Sequence, residues 1–176
     1  MRKIPLAIVS LVFALQCEAA EPVTFDDWGS GLGNDKSFMF AVTGNESGET
    51  FGEYCYFKAK NCNRFVLLRT QCKPGTTTPI LANSDSTAAP LTVTCLGPMS
   101  GTQLYSNRID NWKALEAALT DSIRIGFAIP LEADKFIVAR FSLKGRTAAT
   151  QAMEAVFTAQ ISSGTPSEHG TKDQVL

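Results

Sequence analysis

The sequence predicts an α+β fold, mainly antiparallel β-sheet, with two helices in the C-terminal half and disulfide bonds as staples. Three observations lead there. Short apolar-alternating stretches separated by Gly, Asn and Pro turns fill the first two thirds of the chain, two stretches of helical periodicity follow residue 109, and Cys55, Cys62, Cys72 and Cys95 cluster downstream of a leader-like N-terminus.

Arg2 and Lys3 precede an apolar run from Ile4 to Leu15 and small residues at Ala19 and Ala20, the three-part pattern of a secretory signal peptide. Cleavage after Ala19 puts Cys17 and Ala19 at the two small-residue positions before the cut. A lipid-modified Cys17 is the competing reading, disfavoured by leucine one place late at Leu15 and by Gln16 where a small residue is wanted. Residues 1–19 are therefore read as the leader, 20–161 as a single domain and 162–176 as a disordered tail of Ser, Gly, Thr and charged residues. The apolar run is too short for a stable membrane span. Export favours oxidised cysteines and places the protein in the periplasm or outside the cell.

Ser37 to Thr43 and Thr50 to Lys58 read as a hairpin across Thr43-Gly44-Asn45-Glu46-Ser47-Gly48, because Gly and Asn tolerate the positive φ of a tight reversal. Asn45-Glu46-Ser47 also fits the glycosylation triplet. A third strand runs from Arg64 to Cys72, where Lys73-Pro74-Gly75 stops it. Alternation in Leu91-Thr92-Val93-Thr94-Cys95 turns Leu91, Val93 and Cys95 to one face. The same parity puts Cys62, Val66, Leu68 and Cys72 together, and Cys55 with Phe51 and Phe57. Four cysteines allow three connectivities. Loop lengths favour Cys55 with Cys62 across a hairpin and Cys72 with Cys95 across the excursion Pro74 to Pro90, but spacing alone does not eliminate the others. Zinc is disfavoured by the absence of a C-x-x-C pair.

A helix is expected from Asp110, whose carboxylate would cap it, with Trp112, Leu115 and Leu119 on one face. Ser122 to Leu131 and Lys135 to Leu143 return to strand, with a turn over Leu131 to Asp134. After Gly145, Ala149, Met153, Val156 and Phe157 form the apolar stripe of a second helix. Gly29-Ser30-Gly31-Leu32-Gly33 lacks the G-x-G-x-x-G spacing and reads as a flexible lead-in segment.

Chemistry-bearing constellations are sparse. The lone histidine, His169, falls in the tail, so neither a serine nor a cysteine nucleophile has an imidazole base held in place. Asp26 with Asp27, and Glu132 with Asp134, are acidic pairs on loops that match no calcium-loop spacing. No catalytic residue, metal site or cofactor is expected. The whole chain carries a net charge of −1, and losing Arg2, Lys3 and Glu18 with the leader makes it one unit more negative, which gives no electrostatic pull toward nucleic acid. Tyr54 and Tyr56, which share a strand face opposite Cys55, and Tyr105 are candidate contact residues, since tyrosine joins contact area to a polar tip. Arg140 is the other candidate: turned inward it needs a carboxylate or an anionic ligand, turned outward it needs nothing.

Phe141-Ser142-Leu143-Lys144-Gly145-Arg146-Thr147-Ala148-Ala149, with the apolar helix after it and Ile125-Gly126-Phe127-Ala128-Ile129-Pro130-Leu131 before it, resembles the C-terminal third of the invasion-associated locus B family. The chain departs from that family at Arg146, where members tend to carry an aromatic residue, and at Trp28, which no cysteine follows closely. The resemblance implies an exported bacterial envelope protein, linked to host-cell invasion in some members, with no catalytic residue to carry over. A non-catalytic binding module whose partner is an envelope or secreted protein is the resulting expectation. A carboxylate-dependent enzyme acting on envelope substrates, or a carrier of small anionic ligands held by Arg140, are the alternatives.

Overall fold

The computed structural model describes residues 22–131 and 135–163. The leader, most of the tail with His169, and the Glu132 and Asp134 pair lie outside the described residues. Ten strands form one sheet: β1 (Val23–Phe25), β2 (Trp28–Leu32), β3 (Phe38–Gly44), β4 (Thr50–Tyr56), β5 (Asn61–Leu68), β6 (Thr77–Ser84), β7 (Ala88–Pro98), β8 (Tyr105–Ile109), β9 (Arg124–Pro130) and β10 (Phe136–Ser142). Among the described residues there are also two helices, α1 (Trp112–Leu119) and α2 (Arg146–Ser162). The order across the sheet is β1-β2-β3-β4-β5-β8-β7-β6-β9-β10, with every neighbouring pair antiparallel.

The sheet curls until its two ends meet. Trp28 Nε1 donates to the Ser142 carbonyl at 2.9 Å, and Ser142 Oγ donates to an Asp27 carboxylate oxygen at 2.6 Å. The Phe51 ring lies 5.1 Å from that of Phe127 and 5.8 Å from that of Phe141, although β4 and β10 are far apart in strand order. Curling gives the sheet an inner face, and both helices lie against it: Leu115, Ala118 and Leu119 of α1 and Ala149, Met153 and Phe157 of α2 join Phe51, Val66, Leu91, Val93, Ile125 and Phe141 in one buried cluster. Burial of apolar area on this scale is the main force that closes the sheet.

Both disulfides follow the expected pairing. Cys55 and Cys62 face each other across β4 and β5, and Cys72 joins Cys95. The second bridge has a topological role, because β8 inserts between β5 and β7 and the chain leaving β5 must cross to reach β6. Cys72 sits in that crossover and is tied to β7, where Gly75 N–H also donates to the Cys95 carbonyl at 2.8 Å.

Several local expectations change. Gly29 to Gly33 is no flexible lead-in, since Trp28–Leu32 is strand β2. Its glycines face outward, and Phe38 and Phe40 lie across them: a Cβ on Gly33 would come within 2.6 Å of the Phe38 ring, and one on Gly31 within 3.2 Å of the Phe40 ring. Asp110 does not cap α1. Its N–H donates to Thr92 O and its carboxylate takes Thr94 Oγ1 and the Arg108 guanidinium, so sheet pairing holds it and α1 begins after Asn111. The Asn111 amide bonds β7 at Thr92 and Pro90 instead of the helix. Trp112 and Val156, expected in apolar stripes, are exposed, and Ser162 closes α2 instead of opening the tail. Strands β6 and β8 add to those the sequence predicts, β6 inside the excursion between the paired cysteines.

Candidate binding surface

The parity that puts Cys55 and Phe51 inside also puts Glu53 there, and Glu53 is only 5% exposed. Glu53 Oε2 lies 3.2 Å from Arg64 Nη2 on the facing strand, Arg64 Nε lies 3.4 Å from Glu116 Oε1 on α1, and Glu116 Oε2 accepts from Arg146 Nη2 of α2 at 2.8 Å. One chain of charge thus ties the sheet to both helices. The Arg64 guanidinium also lies 5.1 Å over the ring of the exposed Trp112, a cation–π contact. Arg64 Nε is buried and finds no hydrogen bond in good geometry among the described residues. Burial pushes the Glu53 carboxyl above its usual range, the Arg64 charge pulls it back, and Glu154 and Glu116 push it further up.

Arg146 has a physical role in this network, because its guanidinium grips Glu116 with two contacts, 2.9 and 2.8 Å. Glu53 and Glu116 converge on the arginine between them, the arrangement of a structural clamp. Asp26 occupies a turn at φ 47°, and Asp27 is engaged by Ser142. Glu53 also has a carboxylate oxygen within 4.8 Å of the Cys55 and Cys62 sulfurs, yet both sulfurs are spent in the disulfide and offer no thiolate to a metal.

Tyr54 and Tyr56 lie on the outer face of β4, away from both helices, as their parity opposite Cys55 requires. There they join Phe38 and Phe40 of β3 and Phe65 of β5. The Phe38 ring stands 5.7 Å from Tyr54 and 5.6 Å from Tyr56, and Tyr54 meets Phe65 edge-on at 5.4 Å. The two tyrosines differ in depth. Neighbouring rings bury Tyr54 enough to push its phenol up to about 12. Tyr56 is raised too, by burial first and then by the Asp35 charge, and its ring stands nearer the rim. Tyr105 lies apart, on β8 opposite Leu68.

Arg140 is exposed, on the outer face of β10 beside Phe136 and Val138, with its stem lying over Gly126. The inward alternative is thereby set aside. Its guanidinium makes no hydrogen bond or ion pair among the described residues, whereas Arg124 on the adjacent strand is held by Asp85 at 3.0 Å. Arg140 stands where two open depressions meet. One, of about 410 Å³, has Gly126 and Ala128 as its floor and Leu81, Phe136 and Val138 as its apolar walls. The other, of about 840 Å³, follows the seam between β10 and the β3–β4 turn and includes Asp27, Glu46 and Lys144. The structure does not bring Arg140 and the tyrosines together.

No protein-family model matches the sequence, and no curated protein matches it either. Among solved structures, the fold is similar to that of invasion associated protein B from Bartonella henselae, with a TM-score of 0.54 and 14% identity over 79% of this chain and 99% of that one. At that identity the likeness carries the fold alone. It accords with the resemblance seen in the C-terminal third and extends the shared architecture across most of the described chain. The two disulfides fit an oxidising compartment. Among the described residues, no helix is long and apolar enough to cross a membrane.

Proposed function

We propose that the protein is an exported, non-catalytic interaction module of a bacterial envelope, working by binding another envelope protein or a secreted target. The observation that carries this reading is the surface of four partly exposed rings, Phe38, Phe40, Tyr54 and Tyr56, which lies on the sheet face opposite both helices with Phe65 buried beside Tyr54. Partly exposed aromatic clusters with phenolic tips are suited to protein contact. The interior supports the same reading, since the inner face is filled by side chains and its nearest carboxylates are clamped by arginines. The likeness to invasion associated protein B makes a host-facing partner one class to separate from an envelope partner.

The test is crosslinked capture of the tagged protein from intact cells, with mass spectrometry of the captured partner. Tyr56→Ser is the informative variant, because Tyr56 sits at the rim, whereas Tyr54→Ser should cost about 3 kcal/mol by opening the ring cluster. The reading predicts one reproducible partner, lost with Tyr56→Ser while the melting temperature holds. Capture unchanged in that variant, or hydrolysis of an envelope substrate by the purified protein, would sink it.

A further inference from the structure

The two ends of the sheet are not equally protected. β1 has three residues, and the start of α2 abuts it, since a side chain at Gly145 would strike the Phe25 carbonyl. β10 has seven residues and pairs on one side only, with β9. Its register identifies which backbone groups are free. Leu131 N–H donates to Lys135 O and Leu143 N–H to Ile123 O, which makes Ile137, Ala139 and Phe141 the residues that bond β9. The N–H and C=O groups of Phe136, Val138 and Arg140 therefore point to the open edge, and among the described residues none of them has a backbone partner. Ser142, next in the series, has its carbonyl occupied by Trp28.

The side chains along this edge are equally unfinished. Phe136 is 67% exposed and Leu81, across the groove, is 45% exposed. Arg140 and Lys144 have no side-chain partner among the described residues, whereas Arg124 is held by Asp85, and of the carboxylates in the adjoining depression Asp27 and Glu49 are already engaged by Ser142 and Asn45. Natural sheets usually blunt a long edge, so an edge that combines free backbone, apolar walls and unpaired cations is suited to strand addition.

We propose that β10 accepts an extended segment of a partner protein as an added antiparallel strand, with an acidic side chain opposite Arg140 and apolar side chains opposite Val138 and Phe136. Directly opposed residues at these three positions exchange both backbone hydrogen bonds, so the recognised pattern is acidic-x-apolar-x-apolar. A second copy of this chain fits less well. Pairing Val138 with its own counterpart sets Arg140 against Phe136 and leaves the guanidinium without a carboxylate. This surface gives the interaction-module reading a second site, physically separate from the aromatic face.

The test uses a fluorescent synthetic peptide, Gly-Glu-Thr-Val-Thr-Phe-Gly, and a control with Lys in place of Glu, titrated with the purified protein by anisotropy. Val138→Pro is the fold-sparing variant, because it deletes an outward N–H that no native bond uses. The Glu peptide should bind in preference to the Lys peptide. Val138→Pro should weaken binding about tenfold or more, Arg140→Glu should reverse the preference, and Tyr56→Ser should leave it unchanged. Retention in Tyr56→Ser separates this site from the aromatic face. No binding of either peptide by folded protein, or binding indifferent to Val138→Pro and Arg140→Glu, overturns the proposal. So does a wild-type dimer that Val138→Pro dissolves, which would make the occupant a second copy.

Discussion

Removing the Cys72–Cys95 bridge should cost more than removing Cys55–Cys62, although Cys55 is the more deeply buried. The bridges close segments separated by 23 and 7 residues. Loop-closure entropy then assigns about 3.4 kcal/mol to the longer and about 2.4 kcal/mol to the shorter at 25 °C. The closed segments do not overlap, so the two costs should add, and full reduction should approach their sum. Against a typical total stability of about 5–15 kcal/mol, the longer bridge alone is a large share. The perturbation is Cys72→Ala with Cys95→Ala, compared with Cys55→Ala and Cys62→Ala. Urea unfolding, with an oxidised wild-type reference and a reduced one, gives the free energies, and calorimetry should show a fall in Tm of about 10 °C for the first pair. The Gly75 N–H donates to the Cys95 carbonyl and the Cys95 N–H to the Thr76 carbonyl, and these bonds should keep the folded crossover in place without the sulfurs. If the Cys55 and Cys62 pair proves the costlier, core filling and not chain entropy governs these bridges, and the reasoning fails.

Glu53 should give stability a distinctive pH dependence. Its carboxyl is held above the unfolded value, so the folded state keeps a proton that the unfolded chain releases, and stability falls as pH rises from the unfolded value through the raised folded one. Glu53→Gln should remove that slope, measured as the difference in urea midpoint between variant and wild type from about pH 4 to about pH 7; parallel curves would refute the burial argument. Gly52→Ala should destabilise by about 3 kcal/mol, because the new Cβ would collide with the Ala41 carbonyl and the Val42 backbone, and a change within error would show that β3 can yield there. Alkaline titration followed by tyrosinate absorbance should show Tyr54 ionising only near the about 12 expected of its buried phenol, and a Tyr54→Phe variant should lose that late step and no other.

Much of the fold was legible because its cues are local. Alternation over residues 91–95 predicted the inward side of β7, Asn45 and the glycines around it predicted the β3–β4 reversal, and parity set Tyr54 and Tyr56 opposite Cys55. Gly145 marked the start of α2 correctly, for a local reason, its left-handed φ of 83°, and for a distant one, since Phe25 leaves no room for a side chain. Glu53 could have been found by the same parity that turned Cys55 inward. Its partners could not, since Arg64, Glu116 and Arg146 meet only when both helices fold onto the sheet.

By itself the sequence determined the class of the molecule: its antiparallel strand segments, its two helices and the cysteines available for bridging. Tertiary structure decided the rest. A glycine-rich stretch became β2 because aromatic rings from β3 needed its bare outer face, and Asp110 does not cap α1 because β7 and Arg108 take its groups at the end of β8. Which end of the sheet was covered, and hence that Arg140 stands on an open edge, depended on where α2 and Trp28 came to rest. Local pattern sets which way a side chain can point, while burial and pairing depend on what distant chain arrives beside it.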